Sequence, residues 1–464
     1  MGVMFVNRHE ELSALERWWR SDSPAAVVWG RRRVGKTALV QHFAADRRTV
    51  FHTGAGRPAG GELAQLSRQV HRVAPHQLRD LLARPYADWD DAFDGLAQLA
   101  ADETLLVVLD EFPELTLTSP ELPGVLRAFL DRAAGRTRLR LLLCGSAVRH
   151  MEALQEQRAP LYGRFGLSLQ VHPFQPAEAA LLLPRLSATD RATVYGLLGG
   201  MPLYLSWWDQ DADLASNLLR LACRPGAPLL TEGQLVLATE TERGEYPSAV
   251  LHAIAAGRTK HGEIKDALRA EPTRTLERLI ALRLVERVVP VTDTERSRRV
   301  HYRVADNFLA FWLQVLARFR AEIERGLGEA ILPVLLESLP ELLGPRWEEM
   351  FRTHLRVLAA QGKFGDGIVA VGPWWSADGT VEIDAVALAG RARVPVLVGE
   401  AKWAARMDAT RIIRALTAKV SAVPEADPAT VRLVLCARER VDNVPPDVLA
   451  ITAEDIMALA PRGT

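Results

Sequence analysis

One stretch of the chain has glycines, a lysine and a threonine at the spacing that holds the phosphates of a nucleotide. Gly30 and Gly35 enclose four residues and are followed by Lys36 and Thr37, the G-x-x-x-x-G-K-[ST] pattern of a phosphate-binding loop. The glycines let backbone N–H groups turn toward the phosphates, the lysine reaches the β- and γ-phosphates, and the threonine hydroxyl ligates Mg²⁺. The three arginines inside the loop either raise the affinity for a triphosphate or contact a neighbouring domain. The candidate ligands of this nucleotide site are Gly30, Arg31, Arg32, Arg33, Val34, Gly35, Lys36, Thr37 and Ala38.

Two adjacent carboxylates form a second pattern. Five apolar residues, 105–109, are followed directly by Asp110 and Glu111. Such a run predicts a buried parallel strand, and α/β sheets bind ligands at the carboxyl ends of their strands. We therefore expect Asp110 to hold Mg²⁺ and Glu111 to polarise the water that attacks the nucleotide.

Two polar residues further along could also meet the γ-phosphate. Residues 139–146 are mostly apolar and predict a third strand that ends in Ser146. Ser146 either contacts the γ-phosphate from this adjacent strand or simply belongs to the turn at its end. Arg164 could act as an arginine finger, in cis or from a neighbouring subunit. Arg158 competes for that role, and either arginine could instead be a plain surface residue.

A third set of residues lies near the C-terminus. Asp384 is followed 16 positions later by Glu400-x-Lys402, the pattern of PD-(D/E)xK nucleases. Two carboxylates suit Mg²⁺ or Mn²⁺, which acidifies a water and stabilises charge on a scissile phosphate. The lysine can orient that water, and Glu348 on a preceding helix is a further candidate metal ligand. The alternative is a surface ion pair on adjacent strands.

Short regular elements must position the nucleotide site. The apolar run 25–29 predicts a strand before the loop, and residues 38–43 predict the helix after it. Asn7 is the predicted N-cap of an amphipathic helix that ends near Arg20. The stretch around Arg8 either lies over the adenine, which makes Arg8 a candidate ligand, or only begins this helix.

Two helices, 177–185 and 190–198, are predicted to form a small lid. The glycines and proline of residues 199–204 interrupt the helical pattern and form a turn that either packs against an adenine or only joins helices. Prolines and a glycine within residues 332–345 predict a boundary, after which Arg346 opens a new amphipathic helix.

The middle of the chain has the pattern of a winged helix-turn-helix. Helices are predicted over 247–255, 260–268 and 272–282, and two strands, 284–289 and 299–304, form a hairpin. Residues 255–305 hold 12 Lys and Arg against 7 Asp and Glu. This basic surface either contacts duplex DNA or belongs to a module that only joins domains. Its candidate contact residues are Arg274, Arg278, Arg283, Arg296, Arg298 and Arg299.

Composition sets few further limits. The 464 residues carry equal numbers of basic and acidic side chains, 57 of each, so net charge does not indicate a partner. The three cysteines lack metal-binding spacing, which favours free thiols in a reducing cytoplasm. We find no signal peptide and no apolar run of about 18 residues, so no membrane partner is expected.

Six motifs taken together resemble the archaeal-type ATPase family, P-loop ATPases related to AAA+ and STAND proteins. The resemblance covers residues 1–235 and implies an ASCE-type fold that uses ATP and Mg²⁺. It assigns Glu111 as the catalytic glutamate, Asp110 as the Mg²⁺ ligand, and Gly200 and Pro202 as the lid motif near the adenine. The motifs are Phe5-Val6-Asn7-Arg8, the loop from Gly30 to Thr37, Leu109-Asp110-Glu111-Phe112, Gly145-Ser146, Leu161-Tyr162-Gly163-Arg164 and Gly199-Gly200-Met201-Pro202.

The C-terminal stretch Gly399-Glu400-Ala401-Lys402-Trp403 resembles the Gly-Glu-x-Lys-Trp signature of the DUF234 domain, a nuclease-like domain that commonly follows such ATPases. Ile383 stands where the superfamily pattern has proline. Since some domains of this kind have lost cleavage, the resemblance implies the fold and leaves cleavage open.

The expected fold class is α/β: a P-loop ASCE/AAA+-like core with a helical lid, a winged helix-turn-helix and a C-terminal restriction-endonuclease-like domain. The expected function is ATP hydrolysis coupled to DNA through the last two parts. A STAND-like switch with a non-cleaving C-terminal domain and a scaffold ATPase without DNA are the alternatives, and a homo-oligomer is possible under each. The expected domains are core 1–165, lid 166–240, winged helix 241–318, linker helix 319–345 and nuclease-like domain 346–464.

Overall fold

Apolar runs in the first part of the chain form strands that are buried on both faces, as expected for a sheet covered by helices on either side. Ala25–Trp29 and Leu105–Asp110 are buried along their whole length. The structure, a computed structural model, describes residues 5–76, 79–133, 135–240 and 245–458. The chain divides into a first unit, Met1–Pro173, and a second unit, Phe174–Thr464.

The first unit alternates strands and helices around a five-stranded parallel sheet. Its strands are β1 (Ala25–Trp29), β2 (Thr49–Thr53), β3 (Leu105–Asp110), β4 (Leu139–Gly145) and β5 (Leu167–Gln170). Its helices are α1 (His9–Trp19), α2 (Lys36–Ala44), α3 (Ala59–Val73), α4 (Trp89–Leu99), α5 (Phe112–Thr118), α6 (Leu122–Ala133) and α7 (Val148–Ala153). The strand order is β2-β3-β4-β1-β5, and each pairing is parallel.

This strand order brings the predicted site residues to one edge of the sheet. β4 lies between β1 and β3, with Trp29 opposite Gly145 in the register. The chain therefore leaves β1 into the phosphate-binding loop, leaves β4 at Ser146, and leaves β3 at Asp110 and Glu111, all at the carboxyl ends of neighbouring strands.

The second unit begins with helices and ends with a second sheet. Its helices are α8 (Pro176–Ala179), α9 (Ala188–Leu198), α10 (Pro202–Ser206), α11 (Leu214–Leu221), α12 (Pro228–Glu240), α13 (Glu245–Ala255), α14 (His261–Leu268), α15 (Thr273–Ala281), α16 (Asn307–Phe311), α17 (Ala317–Glu322), α18 (Gly328–Ala360), α19 (Ala409–Val420) and α20 (Ala453–Met457). Its strands are β6 (Val285–Val288), β7 (His301–Val304), β8 (Ile368–Trp375), β9 (Glu382–Ala389), β10 (Val394–Ala401), β11 (Arg406–Asp408), β12 (Arg432–Cys436), β13 (Arg440–Asp442) and β14 (Leu449–Ile451). A short 3₁₀ turn covers Ala180–Leu182, and two π-helical turns cover Trp312–Leu316 and Ile323–Leu327.

The C-terminal sheet has the strand order β14-β12-β10-β9-β8. β8, β9 and β10 pair antiparallel, whereas β10, β12 and β14 run parallel. Phe351 of α18 packs on one face of this sheet, and Leu416 of α19 packs on the other. Gly399 is required by that packing, because a β-carbon there would lie 2.7 Å from the Phe351 ring. The sheet thus has a helix on each side of the Glu400 strand.

The helix predicted to open at Arg346 begins instead at Gly328, and α18 runs through the expected boundary. Pro333, Pro340 and Pro345 lie inside it. Each proline inside a helix costs about 3 kcal/mol. Each buried Leu, Met or Phe side chain contributes about 1.5–3 kcal/mol, and α18 buries seven of them: Leu335, Leu339, Leu342, Leu343, Met350, Phe351 and Leu355. Burial of the apolar face therefore outweighs the local preference.

Other helix ends differ by smaller amounts. α1 has Arg8 rather than Asn7 at its N-cap, and no side chain caps it. The first lid helix is only α8 and the 3₁₀ turn that follows it. The helical pattern stops at Leu198 and restarts at Pro202, so the predicted interruption is present.

We call α13, α14, α15 and the β6–β7 hairpin the helix–hairpin module. All the helices and strands predicted for it are present, with Leu276 and Leu279 buried. The expected boundary at residue 241 lies outside the described residues. Cys144, Cys223 and Cys436 are free and buried. Of the helices in the described ranges, none is long and apolar enough to cross a bilayer.

Candidate functional site

The phosphate-binding loop joins β1 to α2, and two glycines give it its shape. A β-carbon at Gly30 would lie 2.3 Å from the carbonyl oxygen of Val171. Gly35 has a φ of 94°, a conformation that residues with a β-carbon rarely adopt. Ala38 follows in the first turn of α2. The loop therefore ends at a helix N-terminus, where backbone N–H groups favour an anion.

Lys36 points back into this loop. Its ammonium donates to the Arg31 carbonyl at 2.9 Å, and the residue is 5% exposed. Burial lowers the pKa of Lys36 below its usual value, and the carboxylates of Glu111 and Asp110 offset part of that effect. A phosphate in the loop would compensate the ammonium better than one carbonyl does.

Thr37 and Asp110 lie together. The Thr37 hydroxyl donates to Asp110 Oδ2 at 3.2 Å, and Asp110 is almost fully buried. Two hard oxygen ligands at this separation fit Mg²⁺. The thiol of Cys144, a residue that sequence patterns did not single out, is hydrogen-bonded to Asp110, and burial raises the pKa of that thiol. Position on a central strand was the one signal that could have indicated Cys144.

Glu111 and Ser146 are also in contact. The Ser146 hydroxyl lies 2.9 Å from Glu111 Oε2, to which it donates. Glu111 has a φ of 47°, which turns the chain out of β3 and into α5. Ser146 was predicted either to contact a γ-phosphate or only to end a strand. In this structure it holds the predicted catalytic carboxylate.

The remaining loop-side arginines make distinct contacts. Arg32 Nε donates to Ser146 Oγ at 3.4 Å. Arg8 is buried beneath the loop, donating to the Val34 carbonyl at 2.9 Å and pairing with Glu11 at 2.7 Å. Arg8 thus braces the loop from its backbone side.

Arg164 is engaged elsewhere. Its guanidinium binds both oxygens of Asp131, each at 2.9 Å, and donates to the Tyr162 carbonyl. Arg158 is exposed. Pro202 is buried at the start of α10 in the second unit. The structure therefore joins Lys36, Thr37, Asp110, Glu111, Ser146 and Arg32, and places Arg164 against α6 instead.

The C-terminal residues Asp384, Glu400 and Lys402 also converge, and we name them the carboxylate–lysine site. Lys402 Nζ lies 2.6 Å from Glu400 Oε1 and 4.0 Å from Asp384 Oδ2. The Ala401 backbone N–H donates to Asp384 Oδ2 at 2.8 Å. Burial, and then the charge of Glu400, raise the pKa of Asp384.

Sequence patterns missed two residues that contact this site. Lys419 of α19 donates to Glu400 Oε2 at 3.1 Å, so two ammonium groups share one buried carboxylate. Arg352, buried in α18, donates to the Asp384 carbonyl at 2.6 Å. The spacing of Arg352 from Glu349 and Glu348, three and four residues, was the sequence signal for this arginine. Lys419 offered no such signal.

Glu348 lies beside these groups but does not complete a metal cluster. Burial, and then the charge of Asp384, raise the pKa of Glu348 to about 7. Among the described residues no group of three His, Cys, Asp or Glu side chains is arranged to hold a metal ion. Because no third ligating side chain completes the set among the described residues, and two lysines contact Glu400, the fit of these residues to Mg²⁺ or Mn²⁺ is incomplete.

The helix–hairpin module packs against β8. Arg299 donates to the Trp375 carbonyl at 2.8 Å and pairs with Asp293, while the His301 and Trp375 rings stack with centroids 4.5 Å apart. Arg299, predicted to contact DNA, is thus occupied within the chain. Arg274, Arg296 and Arg298 are exposed.

Comparisons with known proteins match two families to this chain. Residues 5–207 match a family described as an ATPase domain predominantly from Archaea. Residues 312–413 match DUF234, described as archaeal and bacterial proteins of unknown function. An uncharacterised protein of Methanocaldococcus jannaschii is 27% identical over 411 residues, which cover 86% of this chain and 88% of that protein.

Two further matches are more limited. An uncharacterised ATP-binding protein of the same organism is 49% identical over 47 residues, 10% of this chain and 80% of that protein. The Walker-type ATPase of Pyrococcus abyssi superposes with a TM-score of 0.53 at 21% identity, covering 67% of this chain and 96% of that one. At this identity the structural match supports the fold alone.

Proposed function

Since the chain carries an archaeal-type ATPase domain followed by a DUF234 domain, we propose that its first unit binds and hydrolyses ATP. The observation that carries this proposal is the contact of Thr37 with Asp110, 3.2 Å apart at the carboxyl edge of the sheet. The short ATP-binding relative adds support.

Each residue of the site has a defined task in this proposal. Lys36 exchanges the Arg31 carbonyl for the β- and γ-phosphates, and Thr37 and Asp110 hold Mg²⁺. When bound, Mg²⁺ neutralises charge on the phosphoryl oxygens. Glu111 orients the attacking water and accepts its proton, and Ser146 fixes the direction of that carboxylate.

Two substitutions test the assignment. Lys36→Ala should abolish ATP binding measured by calorimetry, whereas Glu111→Gln should keep binding and lose turnover. Glu121→Gln, at an exposed position, is the matched control and should behave as the wild type. Unchanged hydrolysis in Glu111→Gln would show that another group activates the water.

We propose further that the second unit binds duplex DNA through the helix–hairpin module. Arg274 on α15 and Arg298 beside the hairpin are exposed cations placed to contact phosphates. Binding to a linear duplex that weakens steeply with salt would support this proposal. Binding that is absent at low salt would favour the scaffold ATPase without DNA.

The carboxylate–lysine site supports two candidate roles. The convergence of Asp384, Glu400 and Lys402 favours a metal-dependent nuclease. The second lysine on Glu400, Lys419 at 3.1 Å, favours the STAND-like switch, in which this domain does not cleave and the ATP state controls assembly or regulation.

Cleavage of plasmid and linear DNA separates these roles. The purified protein is incubated with Mg²⁺ or Mn²⁺, with and without ATP, beside the double variant Glu400→Ala/Lys402→Ala. Cleavage that the double variant loses establishes the nuclease, and its dependence on ATP shows whether the first unit controls it. Intact ATPase activity without cleavage supports the regulatory switch.

A further inference from the structure

Arg32 sits inside the phosphate-binding loop, yet its side chain reaches the neighbouring strand end. Its Nε lies 3.4 Å from Ser146 Oγ, and that hydroxyl lies 2.9 Å from Glu111 Oε2. Arg32 is exposed, so a ligand entering the loop can reach its guanidinium. A cation, a hydroxyl and the water-activating carboxylate thus follow one another across β1, β4 and β3.

This order of groups fixes which end of a bound triphosphate Arg32 would meet. The water held by Glu111 must attack the γ-phosphorus from the side opposite the β-phosphate. Ser146 contacts Glu111, so a guanidinium that contacts Ser146 lies at the γ-phosphate end. The positive charges of Arg32 and Lys36 repel each other. An anion bound by both cations would relieve this repulsion.

Arg164, the residue predicted to act as an arginine finger, is already bound to a carboxylate. Arg164 is bound by both oxygens of Asp131, each at 2.9 Å. Moving it to the nucleotide would break this bidentate pair. Within the described parts of the chain, the contact that Arg32 would exchange is a 3.4 Å hydrogen bond to a hydroxyl. Bidentate guanidinium–carboxylate pairs are stronger than a long hydrogen bond to a neutral group.

We infer that Arg32 is a catalytic residue supplied in cis by the loop itself, whose guanidinium binds the γ-phosphoryl oxygens of ATP as the phosphoryl group transfers to water. The inference rests on the proposed ATPase function and adds to it the source of the stabilising arginine. The water oxygen bonds to the γ-phosphorus while the bond to the β–γ bridging oxygen breaks. Glu111 takes the water proton, ADP and phosphate leave, and Arg32 keeps its protons throughout.

Steady-state turnover and binding of the full chain test this role. Arg32→Ala should lower kcat by about 10³-fold, the lower end of the effect of an arginine finger, while the Kd for ATP changes less than about fivefold. The kcat of Arg32→Lys should lie between those of the wild type and Arg32→Ala, because a lysine keeps the positive charge but lacks the planar guanidinium. Arg132→Ala, an exposed cation on α6, is the matched control and should turn over as the wild type.

A second readout separates transition-state stabilisation from folding or substrate binding. ADP with aluminium fluoride imitates the transferring phosphoryl group, so Arg32→Ala should bind this complex more weakly than the wild type. Its affinity for ATP and its melting temperature should stay close to those of the wild type. Turnover per molecule of the wild type should also be independent of protein concentration, because the arginine comes from the same chain.

Each other result has a definite meaning. A wild type that binds but never hydrolyses ATP removes the proposed function and this inference together. An active wild type with Arg32→Ala within threefold of it overturns the inference alone. If Arg32→Ala has a raised Kd for ATP and an unchanged kcat, Arg32 binds the substrate without stabilising the transition state, and the inference is overturned. Turnover that rises with protein concentration and collapses in Arg164→Ala places the finger on a second copy.

Discussion

The hydroxyl of Ser146 donates to the carboxylate of Glu111 at 2.9 Å, so the end of one central strand holds the proposed catalytic carboxylate at the end of its neighbour. Glu111 has left-handed backbone geometry, with a φ of 47°, where the chain turns from β3 into α5. Both carboxylate oxygens of Glu111 lie within hydrogen-bond distance of the Ser146 hydroxyl, which orients the side chain. Because Arg32 also contacts the Ser146 hydroxyl, this hydrogen bond links the position of Glu111 to that of Arg32.

Removing this hydroxyl should slow hydrolysis more than it weakens binding. Ser146→Ala is expected to lower kcat at least about tenfold, because a mispositioned general base loses much of its effect, with little change in the Kd for ATP. Ser146→Thr keeps a hydroxyl and should retain most of the activity. An alanine variant with wild-type kcat would show that Glu111 is oriented by another group.

DNA binding should depend on the exposed arginines of the helix–hairpin module. Arg298→Ala is expected to weaken binding to all duplex sequences alike and to reduce the slope of log K against log salt by about 1. Arg185→Ala, at an exposed lid position, should leave the slope unchanged. Equal slopes in the wild type and Arg298→Ala would remove this arginine from the interface.

Arg352 should matter to stability more than its neighbours on α18. It is 3% exposed, and it bonds both the Asp384 carbonyl and Glu349 Oε2. Arg352→Ala removes the donor to the Asp384 carbonyl and leaves Glu349 paired with Arg303 and Arg356. Denaturant unfolding should therefore lose about 2–3 kcal/mol of stability, the cost of a buried acceptor left without its hydrogen bond. The more exposed Arg356 also pairs with Glu349, and Arg356→Ala should cost about 1 kcal/mol or less. Comparable losses in the two variants would contradict the role assigned to burial.

His52 should make the first unit sensitive to acid. The imidazole is fully buried, and burial lowers its pKa, although Glu62 at 3.0 Å offsets part of this effect. Below about pH 6.5, the pKa of histidine in an unfolded chain, His52 binds a proton in the unfolded chain but not in the folded one. The free energy of unfolding should therefore fall as the pH drops below this value and recover above it.

The variant His52→Gln isolates this effect, because the other histidines are common to both proteins. The stability difference between wild type and variant should narrow as the pH falls from about 7 to about 5.5. Thermal unfolding across that range measures it. A difference that stays constant with pH would show that His52 titrates alike in the folded and unfolded chains.

The positions of the residues of the proposed nucleotide site were predictable because their pattern is local. Gly30 to Thr37 are adjacent in the chain, and Asp110 and Glu111 directly follow an apolar strand, so strand-edge rules alone place both groups at one end of a parallel sheet. Parallel pairing of β1, β4 and β3 then brings Ser146 between them.

Contacts between distant segments were decided only in three dimensions. Lys419 donates to Glu400, 19 positions earlier in the sequence. Arg164 forms an ion pair with Asp131 of α6. Arg299, a predicted DNA contact, donates to the Trp375 carbonyl. No spacing rule predicts such partners, since a long charged side chain takes whichever opposite charge or carbonyl the packed neighbours present.

By itself the sequence determined the loop, the strand-end carboxylates and the order of elements, because these depend on neighbours within a few residues. Tertiary structure decided the course of α18 through three prolines, since the apolar side chains that it buries along its whole length stabilise the helix more than the prolines disfavour it. It likewise decided which arginine meets Ser146, because the sheet order, and not the chain order, sets Arg32 beside that hydroxyl.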